Sequence, residues 1–405
     1  MELDVARVRR GVARLMRQWV PHNGQFRPTG LQASSLVLAS QPGSGVAYTG
    51  VYPAYTSELA VPELYRTYAP SYYEPVSATE QVGAAFVLQL PDGRISVEDV
   101  HALAVLTADG QLVGDASLQF DPHTFAPAPP AANAIFRQRY FRAPRVVEGT
   151  VCSLLAGGGA AIGNYYHWLL DSLPRLHLVE QAGLLAEVDY FLIYNRQHRF
   201  AVEMLRELGI PEERIIDVQD NPHLRARRLI VTSHVRNGGL HAPDWVGPYL
   251  RRAFQHLPSG TEEPASPYVY VSRRDAAFRR VQNEAAVERL LAEYGFRSYA
   301  LSELNLRQKV ALFGGARVVA GPVGAGLANL LFSQPGTALI ELLPRSMVVA
   351  DYLDLTTRLR MPHYPLVCDT PTAARTAAEG RNADLTADQP ALRQALEQAL
   401  AQVAV

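Results

Sequence analysis

The chain has 405 residues, 48% hydrophobic and 19% charged, with a formal net charge of −1. At roughly 150 residues per domain this length predicts two or three domains, and the charge balance excludes a partner held by a basic surface, nucleic acid above all. No apolar run reaches the ~20 residues of a membrane-spanning helix, and two cysteines, Cys152 and Cys368, are too few for a disulfide framework or a cysteine zinc site.

Of the 38 Lys and Arg residues, 37 are arginine and Lys309 is the one lysine. Two readings of that excess stand side by side. A GC-rich coding bias raises Arg together with Ala, Gly and Pro. A guanidinium also holds phosphate in a fixed fork, which an ammonium does poorly.

Along residues 2–19, Val5, Val8, Val12, Leu15, Met16 and Trp19 recur at helical spacing and predict an amphipathic helix. Its other face carries Arg7, Arg9, Arg10, Arg14 and Arg17, which suits solvent or a peripheral contact with a membrane surface. Charge throughout this stretch does not fit a cleavable secretory signal, so a cytoplasmic location is expected. Residues 20–82 lack periodicity and predict irregular structure with short strands. Over 83–120, Asp92-Gly93 and Asp109-Gly110 sit between alternating apolar runs and predict hairpins. Residues 121–135 are rich in Pro and Ala and predict a linker.

From about 150, short β-branched runs alternate with helical patterns, which predicts an α/β fold with a parallel sheet. Strands are expected at 150–155, 189–194, 228–233, 268–272, 316–320 and 337–342. Helices are expected at 164–182, 199–208, 243–256, 283–294, 302–313 and 324–332. The polar, Pro-rich stretch 257–267 predicts a domain boundary. Residues 370–385 read as a loose connector and 386–403 as a final helix.

Three constellations could carry chemistry. In Asn164-Tyr165-Tyr166-His167-Trp168-Leu169-Leu170-Asp171, His167 and Asp171 are spaced i, i+4 and share a helix face. Such a pair serves structure or catalysis; here it opens a helix after a strand, where α/β sheets present their ligand crevice. Two side chains do not make a metal site. In Tyr268-Val269-Tyr270-Val271-Ser272-Arg273-Arg274-Asp275, an apolar strand delivers two arginines to its carboxyl end, followed by Arg279, Arg280, Asn283 and Glu284. The cluster fits a diphosphate clamp and equally a solvated charged loop. In Gly321-Pro322-Val323-Gly324-Ala325-Gly326-Leu327-Ala328-Asn329, a strand runs into glycines and a helix start, an anion site or a plain structural turn. Its G-x-G-x-x-N pattern and Glu341, 17 residues past Gly324, match a dinucleotide fingerprint poorly. The sequence holds no D-x-D, no G-x-S-x-G and no Walker loop.

N-Y-Y-H-W-L-L-D at 164–171, S-R-R-D at 272–275 with R-R-V-Q-N-E at 279–284, and G-P-V-G-A-G-L-A-N-L-L-F at 321–332 with E-L-L-P at 341–344 occur in this order. The set resembles glycosyltransferase family 61, in its bacterial branch tied to capsular polysaccharide biosynthesis. The resemblance implies a GT-B-like fold, two Rossmann-like domains facing a cleft, here with a β-containing N-terminal region. The expected division is an N-terminal helix and hairpin region at 1–149, an acceptor domain at 150–257, a nucleotide-sugar donor domain at 268–370, and a tail at 371–405 whose helix packs back on the first domain. The resemblance further implies an inverting transferase without metal or other cofactor, using a nucleotide-sugar, most often a UDP-sugar, and a glycan or polysaccharide acceptor.

On this reading Asp171 is the preferred general base and His167 its partner or alternative. Arg273, Arg274, Arg279 and Arg280 hold the donor diphosphate with Gly324, Ala325, Gly326 and Leu327. Asn283, Glu284 and Glu341 face the nucleoside or sugar, and Asn164, Tyr165 and Tyr166 shape the acceptor side. One departure stands out: Val323 occupies a place where the family usually has His. That departure favours an alternative, a non-catalytic binder of glycans or nucleotide-sugars that keeps the fold. A nucleotide-dependent oxidoreductase is a further alternative.

Overall fold

A computed structural model describes residues 19–121, 126–220, 222–236, 239–257 and 266–403. The helix expected over 2–19 lies outside them except for Trp19, as does most of the linker expected at 257–267. The chain divides into two compact units, Met1–Ala54 with Gly83–Gly238, and Tyr55–Val82 with Gly239–Val405. Both are α/β with parallel strands at their centre. No helix among the described residues is long and apolar enough to cross a membrane.

The first unit holds an 11-stranded sheet. At its centre lies Arg145–Ser153, whose last four residues are buried, as a strand covered on both faces requires. Tyr190–Ile193 and then Ile215–Asp217 follow on one side, and His223–Thr232 returns to the other, all in parallel. The chain therefore reverses its course across the sheet beside Arg145–Ser153. At such a switch the crossovers leave toward opposite faces, and a crevice opens at the carboxyl ends of the two neighbouring strands.

Ala85–Pro91 and Arg94–Asp99 both pair antiparallel with His223–Thr232. Asp92-Gly93 is therefore not the hairpin turn its sequence predicts. It is a bulge in one antiparallel edge: Asp92 takes φ +51°, its N–H donates to Arg227 O, and Gly93 O accepts from Ala226 N. Asp-Gly serves both devices because both use a left-handed residue. The turn expected at Asp109-Gly110 does join Ala102–Leu106 to Gln111–Val113. The hairpin region, expected to stand apart from the α/β domain, extends its sheet instead: Leu88, Leu90 and Ile95 share one core with Val151, Leu192 and Leu229.

The second unit holds five parallel strands in the spatial order Arg297–Ala300, Tyr268–Ser272, Val318–Pro322, Ala338–Pro344, His363–Cys368. Numbered along the chain this is 2-1-3-4-5, a doubly wound sheet whose switch lies between Tyr268–Ser272 and Val318–Pro322. Arg297–Ala300, His363–Cys368 and the helix Asp351–Leu359 were not expected from the sequence. The terminal helix Gln389–Val403 is present, but it does not pack where it was expected. Its stripe of Leu392, Leu396 and Ala399 is enclosed in the second unit's own core with Val318, Ile340 and Leu342, the i, i+4, i+7 face of an amphipathic helix. Cys152 and Cys368 are both buried free thiols.

Candidate active site

The helix expected over 164–182 is broken into pieces, and the break shapes the first cluster. Asn164 caps it, its side chain accepting from Tyr166 N at 3.0 Å. After one turn at Tyr165–His167, residues Trp168–Ser172 widen into a π turn, with Leu173 N donating to Trp168 O. Helical structure resumes at Arg175–Gln181, beyond Pro174, whose missing N–H cannot continue a helical ladder. π turns of this kind recur at functional sites.

Within the widened turn His167 Nδ1 lies 2.7 Å from Asp171 Oδ2. From the loop after His223–Thr232, the neighbouring strand at the switch, Arg236 donates from Nε to Asp171 Oδ1 at 2.7 Å and from Nη2 to Oδ2 at 2.9 Å. Burial alone would raise the Asp171 carboxyl. The Arg236 charge and the hydrogen bonds from His167 and Arg236 outweigh it and hold the group well below the usual carboxylate range. An ionised carboxylate only accepts, so the Nδ1 of His167 carries a proton toward Asp171 Oδ2. The His167 side chain is 34% exposed. The ring edge lies over Gly159, where a Cβ would collide with Cδ2 and Nε2.

A buried layer supports the pair. Arg175, 3% exposed, donates from Nε to Asp171 O at 3.0 Å and from Nη1 to Thr232 Oγ1 at 3.1 Å. It thereby ties the helix to the end of the neighbouring strand. Tyr166 lies beneath Arg236, its ring centroid 5.2 Å from the guanidinium carbon. Tyr165 packs edge-on against Phe200. Arg236 escapes sequence reasoning because Asp171 lies 65 positions away, and the tie from Arg175 to Thr232 spans 57. Only the strand-end placement of S-H-V-R at 233–236 could have pointed to Arg236.

The second cluster sits at the other switch. A pocket opens where Tyr268–Ser272 and Val318–Pro322 end, lined by Ser272, Arg273, Asp275, Leu301, Gly324 and Gly326 among others. Arg273 donates from Nε and Nη2 to Phe278 O at 3.0 and 2.9 Å and closes the 273–278 loop on itself. Its Nη1 lies against Gly324, where a Cβ would collide with it. Tyr352 fixes the glycine loop by donating to Gly324 O at 2.5 Å. Beyond the loop, Ala325–Phe332 forms a 3-10 helix rather than the α-helix expected over 324–332; its first N–H groups lack intrahelical acceptors.

The four arginines expected here part into two pairs. Arg274 turns to Glu303 at 3.1 Å and Arg280 to Asp384 at 3.2 Å. Arg273 and Arg279 are half-buried and neither has an acidic partner among the described residues. Arg279 stands at φ +58° with Nη1 on Met347 Sδ, and its buried Nε has no hydrogen-bond partner among the described residues. Burial first, then the field of Arg279, brings Arg273 down to about 10. Burial likewise lowers Arg279.

The remaining candidates are set more deeply. Asn283 neither caps its helix nor reaches the pocket: its amide pairs with the backbone of Ala387, donating at 2.8 Å and accepting at 3.0 Å. Glu284 accepts from Ser272 Oγ at 2.9 Å and Tyr270 OH at 3.1 Å, directly behind the strand end. Glu341 is fully enclosed beside His363, 3.0 Å from its Nε2; burial raises its carboxyl, against the pull of His363. Val323 is 3% exposed and does not line the pocket. Among the described residues no three His, Cys, Asp or Glu side chains gather as a metal-ligand set.

Comparison with protein families matches residues 165–340 to Glycosyltransferase 61. The matched stretch begins beside His167 and takes in both strand-end clusters, and it supports a transferase that acts on a glycosyl donor and an acceptor. No curated protein matches the chain.

Proposed function

We propose that the protein transfers a sugar from a nucleotide-sugar, a UDP-sugar first, to a hydroxyl of a glycan, with inversion and without a metal. The observation that carries this reading is the pair Arg273 and Arg279: two half-buried guanidiniums without an ion-pair partner among the described residues, the first of them, Arg273, set against a glycine loop at a switch point. A cation left unpaired in that setting is costly unless an anion joins it.

In this reading His167 Nε2 accepts the proton of the acceptor hydroxyl as its oxygen bonds to the anomeric carbon. The bond from that carbon to the diphosphate oxygen breaks, and the electron pair stays on the diphosphate. Arg273, Arg279 and the N–H groups opening Ala325–Phe332 receive that charge. Asp171, preferred as base on sequence grounds, orients His167 instead: both its oxygens are engaged and its affinity for protons is low. The acceptor class put forward is a capsular-type polysaccharide, glycosylated in the cytoplasm.

Val323, standing where the resemblance places His, favours a second reading, a binder without turnover. A thermal-shift screen against nucleotide-sugars, followed by UDP release over a panel of glycans, separates the two. A ligand at 100 times its Kd adds ~2.7 kcal/mol of stability. Stabilisation with UDP release supports the transferase, stabilisation without release over the whole panel supports the binder, and no stabilisation by any nucleotide-sugar overturns both.

A further inference from the structure

The proposed base depends on a residue outside the family-like motifs of the sequence. A His–Asp pair left to itself favours the imidazolium, because the carboxylate charge stabilises the second proton on the ring. The fraction of the ring present as imidazolium cannot take a proton. Here the carboxylate is not left to itself.

Arg236 is 8% exposed at its side chain, and it meets both oxygens of Asp171 as a fork. Its Nη2 also lies 3.4 Å from His167 Nδ1, and Nη1 donates to Tyr166 OH at 3.3 Å. The fork fixes the plane of the carboxylate and hence the direction in which Oδ2 accepts. The charge offsets that of Asp171. Among the described residues, the charged and titratable groups seen around the ring are Asp171 on its own helix, Arg236 from the loop after His223–Thr232, Tyr166 beside it, and Arg175 behind Asp171 with His234 at its Nη2.

We propose that Arg236 is the positioning residue of the base: it holds Asp171 so that His167 keeps its single proton on Nδ1, and it cancels enough of the carboxylate charge to leave the ring neutral with an open Nε2. Arg suits this task where Lys does not, since a single ammonium cannot meet two oxygens in one plane. This inference rests on the reading of His167 as base, but its test needs no transfer assay.

Full-length protein labelled with 15N-histidine is titrated, and long-range 1H–15N correlations read the tautomer and the midpoint of His167, assigned by its loss in His167→Gln. In the wild type the neutral ring is expected to carry its proton on Nδ1. In Arg236→Met the midpoint is expected to move up by about one unit, as an offset carboxylate becomes a bare one. Arg236→Lys, which keeps the charge but not the fork, is expected to keep the midpoint near wild type and to mix the two tautomers. An Nε2-protonated ring in the wild type overturns the proposal, as does a pure Nδ1 tautomer in Arg236→Lys. An unmoved midpoint in folded Arg236→Met overturns it as well; should that variant not fold, the Lys variant alone decides. With the expected spectra in hand, absence of UDP release would count against the transferase reading and leave the role of Arg236 standing.

Discussion

The guanidinium of Arg273 lies in the space that a side chain at Gly324 would take. The backbone at Gly324, with φ 169°, is extended and open to any residue, so what requires glycine there is the neighbour. Gly324→Ala should leave the fold intact and push Arg273 aside. UDP affinity by calorimetry is expected to fall about tenfold or more, the share of one charge-assisted contact. Unchanged affinity would mean that the guanidinium shifts without loss. Gly159→Ala applies the same steric logic to His167, and should lower turnover while leaving UDP affinity in place.

The partition of the arginines makes a sharper forecast. A charge-assisted hydrogen bond contributes ~1.5–3 kcal/mol, so Arg273→Ala and Arg279→Ala should each weaken UDP binding roughly ten- to hundredfold. Arg274→Ala and Arg280→Ala remove groups already paired with Glu303 and Asp384, and should change it less than about twofold. Equal losses in all four variants would show that the loop rearranges around the ligand. Calorimetry with pyrophosphate beside UDP tells whether the contacts go to the diphosphate.

What the sequence conveyed and what it withheld follow from the range of the interactions. His167 and Asp171 were legible because four residues on one helix must meet. The strand end at Ser272 was legible because its apolar run stops there, while the strand expected at 316–320 runs on to Pro322. The partition of the arginines was not, since Glu303 and Asp384 lie 29 and 104 residues from their partners. Asp92-Gly93 was misread because a bulge and a hairpin ask for the same left-handed residue. Asn283 was assigned to the donor on motif alone, and its amide is spent on the backbone of Ala387.

Asp171 and His167 should differ in what they cost. Asp171→Asn keeps the volume but removes the carboxylate charge that meets the enclosed Arg236 fork, a loss of about 3 kcal/mol at pH 7. His167→Ala removes a ring that is 34% exposed and should cost less stability while abolishing transfer. Because the native Asp171 carboxyl is held below its unfolded value, its contribution is full above about pH 4 and is lost as pH falls further. The stability gap between wild type and Asp171→Asn should therefore be wide at pH 7 and narrow toward pH 3. Urea unfolding at both pH values measures it, and a gap that stays constant would contradict a charge-based origin.

Two histidines set the acid limit of the first unit. His234 accepts from Arg175 Nη2 at 3.4 Å and donates through Nε2 to Ser117 O at 3.0 Å; burial, then the Arg175 charge, pushes it down to about 4. His223, 4% exposed, donates to Arg142 O at 2.6 Å. Burial, aided by Arg94 against that hydrogen bond, takes it to about 4 as well. Both are neutral in the folded chain and regain an ordinary value near 6.5 when it unfolds. Between pH 6.5 and about 4 the unfolded chain therefore binds more protons, so stability is full above 6.5 and falls as the pH drops through this window. Each group contributes up to about 3 kcal/mol to that fall. His234→Gln and His223→Gln should start lower at pH 7, having lost packing and a hydrogen bond, and should then lose less on acidification to pH 4.5. Calorimetric Tm curves for the three proteins across this window check it: converging curves fit two histidines that must charge on unfolding, and parallel curves place the acid sensitivity elsewhere.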